Sequence, residues 1–214
     1  MQMTLRHSPP EVTGASLCHF PPQSAAKAGD FLPGDFILTH GSTFYGRLIR
    51  FGQYLRFRGP DRKYAWWNHT ALIVSESGDL IEAFGTDGVV STNIASYAPT
   101  DYTLVQLGSL ARPGDREQVV AYARWALGQR YGWITIVSIA LNLLTGGKVN
   151  FGIDGQSICS GLVARALERT SAIFDRSPSH TMPADLARYY KVDPPPPGSP
   201  IGRVPDTPSR ERAH

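Results

Sequence analysis

Cysteine is scarce in this chain: there are two in 214 residues, Cys18 in a proline-containing N-terminal stretch and Cys159 far downstream. A pair so placed makes no disulfide framework and gives no sign of an oxidising compartment. Long apolar runs are also missing. The longest, Trp133 to Leu144, is shorter than the roughly 20 residues a spanning helix needs and is interrupted by Thr135, Ser138 and Asn142, so it is expected as a buried helix or apolar wall with no membrane span. Residues 1–20 mix prolines and polar side chains where a secretory signal carries a continuous apolar core. No cleaved signal is expected, and the chain reads as cytoplasmic or as delivered by a route that needs no signal peptide. Net charge is only +3 with the arginines scattered along the sequence, which gives nucleic-acid binding no support. No short-spaced set of Cys, His and carboxylates appears, so neither a metal nor any other cofactor is expected.

What is present suffices for one domain with a real core, since 42% of the residues are hydrophobic. Residues 1–29 are rich in Pro, Ser and Ala without a sustained period and read as a flexible leader. Residues 193–214, opening on Asp193-Pro194-Pro195-Pro196-Pro197, read as an extended, solvated tail. The folded unit is then about 30–192. Within it, Pro33-Gly34-Asp35 leads into a strand over Phe36 to Thr39, and Phe44 to Phe57 is apolar at helical spacing. Thr70 to Val74 and Leu80 to Phe84 flank a Gly-Asp turn and predict a hairpin, with further strands at Val89 to Thr92 and Tyr102 to Leu107. Helical patterns cover Arg116 to Leu127, Ser157 to Arg169 and Met182 to Ala187, with Gly128 suited to a C-terminal cap. The pattern predicts an α+β fold, a small antiparallel sheet packed against helices.

Cys159 stands in Ser157-Ile158-Cys159-Ser160-Gly161-Leu162-Val163, where small and polar residues give way to an apolar-periodic stretch. A thiol in the first turn of a helix meets unpaired N–H groups and the positive end of the macrodipole, which favour the nucleophilic thiolate. His69 heads a strand-like run, and Glu82 follows in the next strand. Cysteine, histidine and an orienting acid are the parts of a thiol hydrolase or acyltransferase. Each has a simpler reading: most cysteines on helices are small buried hydrophobes, and a single strand His or Glu is usually structural or solvated. Their joint pattern carries the argument. A hairpin centred on Ser75 and Glu76 would set Glu82 opposite His69, whereas one centred on the Gly78-Asp79 signal would set it nearer Ile73. His40 is a competing base, and His180 is expected as a loop residue.

The stretch His69-Thr70-Ala71-Leu72-Ile73-Val74, followed by Gly78-Asp79-Leu80-Ile81-Glu82-Ala83, resembles the His strand and third-residue strand of NlpC-type papain-like cysteine peptidases. Pro33-Gly34-Asp35-Phe36-Ile37-Leu38, Gly128-Gln129-Arg130-Tyr131-Gly132 and Cys159-Ser160-Gly161-Leu162-Val163 are further matches, together spanning about residues 33–190. With His first and Cys last, the order is similar to the circularly permuted branch that includes YiiX-like hydrolases and lecithin retinol acyltransferase-like enzymes. The resemblance implies a permuted papain-like fold, with Cys159 as nucleophile, His69 as general base and Glu82 as the group orienting the imidazole. It implies cleavage of an amide bond, peptide or peptidoglycan-type, through an acyl-enzyme. Two alternatives stand beside it: a lipid acyl hydrolase or acyltransferase with Trp133 to Leu144 lining an apolar groove, and a non-catalytic binding module on the same scaffold.

Overall fold

The computed structural model describes residues 14–84, 87–129, 159–170, 172, 174 and 177–196. The Trp133 to Leu144 run, Arg130, Tyr131, Gly132, Ser157 and Ile158 lie outside the described residues, as do residues 1–13 of the expected leader and 197–214 of the expected tail.

Six strands form one sheet: β1 (Ser16–Phe20), β2 (Phe36–Thr39), β3 (His69–Ile73), β4 (Asp79–Phe84), β5 (Gly88–Asn93) and β6 (Tyr102–Gln106). Their order is β1-β6-β2-β3-β4-β5 with every pairing antiparallel. Four α-helices are described: α1 (Phe44–Arg56), α2 (Pro113–Trp125), α3 (Cys159–Leu167) and α4 (Pro183–Tyr189). The α+β architecture expected from the hydrophobic pattern is thus present. Among the described residues no helix is long and apolar enough to cross a membrane.

The alternation of side chains across the pleat divides the interior into two layers. On one face Phe36, Leu38, Leu72, Val74, Ile81, Ala83, Val89 and Val105 pack against α2, α3 and α4 through Val119, Ala123, Leu162, Val163, Leu167 and Leu186. On the other, Ile37, Ala71, Ile73, Leu80, Tyr102 and Leu104 are covered by Ala26, Phe31, Ile94 and Tyr97. Covering on both faces explains why β2 reads as an unbroken apolar run: its four residues are all buried between β6 and β3. A buried carboxylate closes the frame. Asp35 accepts hydrogen bonds from the Leu32 N–H (2.9 Å), the Leu107 N–H (2.9 Å) and Arg116 Nη1 (2.8 Å), tying the entry of β2 to the exit of β6 and to α2.

The ordered chain begins earlier than its composition suggests. Ser16–Phe20, expected within a flexible leader starting at residue 1 and ending at 29, instead forms the edge strand beside β6. Phe20 stacks on Tyr102 with ring centroids 5.1 Å apart, and the Ala26 N–H donates to the Tyr102 hydroxyl at 2.7 Å. A five-residue strand with exposed Ser16 and Leu17 carries too little periodicity to stand out from a proline-rich background. At the other end, residues 193–196 have no regular structure, consistent with the proline run.

Candidate active site

The β3–β4 hairpin resolves the register that the sequence leaves open. Ala71 pairs with Glu82, Leu72 with Ile81 and Ile73 with Leu80, a centre between the two expected alternatives. Glu82 therefore lies one pleat from His69 on the same face, a diagonal neighbour within reach of long side chains. The turn needs Gly78, whose φ is +88°; a Cβ there would sit 2.6 Å from Ile94 Cγ2.

His69 is the first residue of β3, opposite Thr39 of β2. The residue before it is anchored: the Asn68 amide accepts from the Gly41 N–H at 2.7 Å and donates to the carbonyls of Gly41 (2.8 Å) and Gly46 (3.1 Å). The imidazole lies against the Phe84 ring, centroids 5.3 Å apart and planes 20° from parallel. Its Nε2 meets Glu82 Oε2 at 2.6 Å. The Glu82 side chain is fully buried, and both oxygens are used: Oε2 also accepts from the Tyr97 hydroxyl, and Oε1 accepts from the Thr92 hydroxyl. A buried carboxylate with three donors is fixed in position.

Cys159 is the first described residue of α3, which packs on β3 and β4. The small residues at this helix start, Ser160 and Gly161, are buried with it, and the Ser160 hydroxyl donates to the Thr181 carbonyl at 2.7 Å. The thiol is 3% exposed and unlinked, and it lies near enough to His69 to act on the charge of the imidazole. With Nε2 engaged by Glu82, Nδ1 is the ring nitrogen left for sulfur. Thus the three residues singled out by the sequence meet at one place, brought from two adjacent strands and a helix.

The electrostatics of the group follow from its burial. Burial is the largest influence on His69 and by itself disfavours the cation, but Cys159 and then Glu82, through charge and hydrogen bonding, outweigh it and raise the imidazole from 6.5 to about 10. The ring is an imidazolium throughout the neutral range. Tyr97 is pushed well above its ordinary value, first by burial and then by Glu82 and Cys159, so it remains a protonated donor. A cation held between a thiol sulfur and a fixed carboxylate stabilises the thiolate and can pass a proton to a leaving group.

His40, the competing base, is occupied elsewhere. Its Nδ1 donates to the Trp66 carbonyl at 2.7 Å, its ring stacks on Trp66 with centroids 4.3 Å apart, and burial lowers its pKa. No carboxylate pairs with it among the described residues. His180 ends a short 3-10 turn at Pro178–His180 that packs against α3. No group of three His, Cys, Asp or Glu residues that could hold a metal ion occurs among the described residues.

Thr92, Tyr97 and Asn68 belong to this site but were not singled out from the sequence. Thr92 was findable: it pairs with Leu80 across β4 and β5, so period-2 alternation puts it on the Glu82 face. Tyr97 comes from a 3-10 turn capped by the Asn93 side chain, and no local pattern connects it to a carboxylate fifteen residues earlier. Comparison of the chain with protein-family models returns no match, and comparison with curated proteins returns none either.

Proposed function

We propose that this protein is a cysteine hydrolase that cleaves an amide bond, peptide or peptidoglycan-type, through a Cys159–His69–Glu82 triad on a permuted papain-like scaffold. The observation that carries the reading is the His69–Glu82 contact at 2.6 Å with Cys159 as the second partner of the same imidazole. In this mechanism the Cys159 thiolate attacks the carbonyl carbon, and the oxyanion is stabilised in part by the Cys159 backbone N–H at the start of α3. Collapse of the tetrahedral intermediate expels the amine, which takes its proton from the His69 imidazolium and leaves a thioester. Neutral His69 then removes a proton from water as it attacks the thioester. The acid departs, and the sulfur and imidazolium are restored. Glu82 holds the ring in place throughout.

Iodoacetamide labelling of the full chain in a Cys18→Ser background tests the proposal. The expected result is rapid alkylation of Cys159 that persists well below the range of a free thiol, and its loss in His69→Ala. A labelled acyl-enzyme on incubation with peptide or peptidoglycan fragments, seen as a mass increase absent from Cys159→Ala, completes the case. Labelling that follows an ordinary thiol titration, or appears only on unfolding, would leave a scaffold used for binding.

A further inference from the structure

Helix α1 carries an apolar pair on its outer side. Phe51 is 54% exposed and Leu55 42%, and at a spacing of four residues they lie on one stripe. Arg47, one turn before Phe51, extends the stripe, and Arg58 follows two residues beyond the end of α1; both are exposed. The surroundings are cationic. Six of the chain's 21 Lys and Arg residues, Arg47, Arg50, Arg56, Arg58, Arg62 and Lys63, fall between residues 47 and 63, where Asp61 is the single acid. The expectation of scattered arginines overlooks this concentration. Arg56 and Lys63 are paired with Asp185 and Asp193, and Asp61 faces Arg188. Arg47, Arg50, Arg58 and Arg62 have no carboxylate partner among the described residues; Arg50 and Arg62 instead lie over the Tyr54 ring, at 5.4 and 5.5 Å.

We infer that the outer face of α1 docks on an anionic lipid bilayer, Phe51 and Leu55 entering the interface and the four unpaired arginines meeting the headgroups. The occupant follows from the chemistry. Two apolar side chains are far too little for a stable protein interface, which needs on the order of 800 Å² per partner, and a phosphate backbone offers no apolar partner for Phe51 and Leu55. An apolar stripe ringed by unneutralised cations suits the boundary between acyl chains and charged headgroups. The Asn68 side chain ties the carbonyl of Gly46, in the first turn of α1, to the residue preceding His69, so docking would hold the candidate site at the bilayer surface. The inference does not depend on the hydrolase reading.

The test is co-sedimentation of the full chain with phosphatidylcholine vesicles, with and without about one third phosphatidylserine. Binding is expected only to the anionic vesicles and to weaken with salt. Arg47→Gln with Arg58→Gln should lower the partition coefficient about 25-fold, near fivefold for each charge. Phe51→Ser with Leu55→Ser should lower it about tenfold or more, while Trp125→Ser, at an exposed position of α2, leaves it unchanged. Circular dichroism identifies any variant that fails to fold, and Cys159→Ser should bind as the parent does, which separates this inference from the catalytic one. Absence of binding, equal binding to neutral vesicles, indifference to the Phe51 and Leu55 changes, or displacement by duplex DNA at equal phosphate would overturn it.

Discussion

Replacing Glu82 by Gln is the sharpest probe of how Cys159 and His69 are poised. The substitution conserves shape but removes the charge 2.6 Å from Nε2, in a position with no exposure to solvent. An opposite charge at such a distance moves a histidine titration by about one to three pH units. The equilibrium between the thiolate–imidazolium pair and the neutral thiol and imidazole should therefore shift toward the neutral form by a factor of about 10 to 1,000. Alkylation of Cys159 at pH 6 should slow by a comparable factor, and the His69 ring, held at about 10 in the parent, should titrate nearer its ordinary 6.5 by NMR. Stability should respond with the matching sign. A folded value above the unfolded one gives stabilisation that is complete below about pH 6.5 and fades as pH rises through about 10, so the parent's advantage over the variant in urea melts should be largest at low and neutral pH. Breaking a buried pair costs about 3–5 kcal/mol. Unchanged low-pH alkylation together with an unchanged His69 titration would refute the role given to the carboxylate.

Tyr97→Phe removes one buried donor to Glu82 and should cost about 1–3 kcal/mol of stability; it should also move the alkylation pH profile, a change that mere loss of packing would not produce. His40→Asn should cost about 1 kcal/mol through the lost bond to the Trp66 carbonyl, and leave that profile as it is. Gly78→Ala places a methyl group 2.6 Å from Ile94 in a left-handed backbone conformation and should destabilise the hairpin by about 1–3 kcal/mol in denaturant melts, with alkylation reduced only as far as the native fraction falls. Asp35→Ala strands Arg116 and the Leu107 N–H and should cost about 3–5 kcal/mol in the same assay.

The strands that carry the site were legible because each is short, strongly apolar and bounded by turn chemistry, and the choice of Cys159, His69 and Glu82 rested on residue type at the start or middle of such elements. The register of β3 against β4 was not legible, because Ser75, Glu76, Ser77 and Gly78 all suit a turn, and the bonds of Ser75 and Ser77 to Asp79 together with Ile94 beside Gly78 accompany the one that folds back. The donors to Glu82 were hidden for a different reason. Thr92 and Tyr97 act through tertiary contacts, and a hydroxyl on a strand or in a 3-10 turn looks the same in sequence whether it faces water or a carboxylate. β1 escaped notice because an edge strand with one neighbour needs little hydrophobic content to stay in place.

The separation of the site's parts along the chain has a consequence for how it comes into being. His69 and Glu82 lie on one hairpin, thirteen residues apart, and can find one another as soon as that hairpin closes, within microseconds for such a unit. Cys159 arrives from the far side of β5, β6 and α2, and its contact with His69 exists only once α3 has settled on the sheet. Closing that long loop is among the slower and later events of folding. A chain emerging from the ribosome, or one caught half-folded, would then carry an ordinary thiol, and the reactive sulfur would serve as a covalent clock that starts when the helix docks.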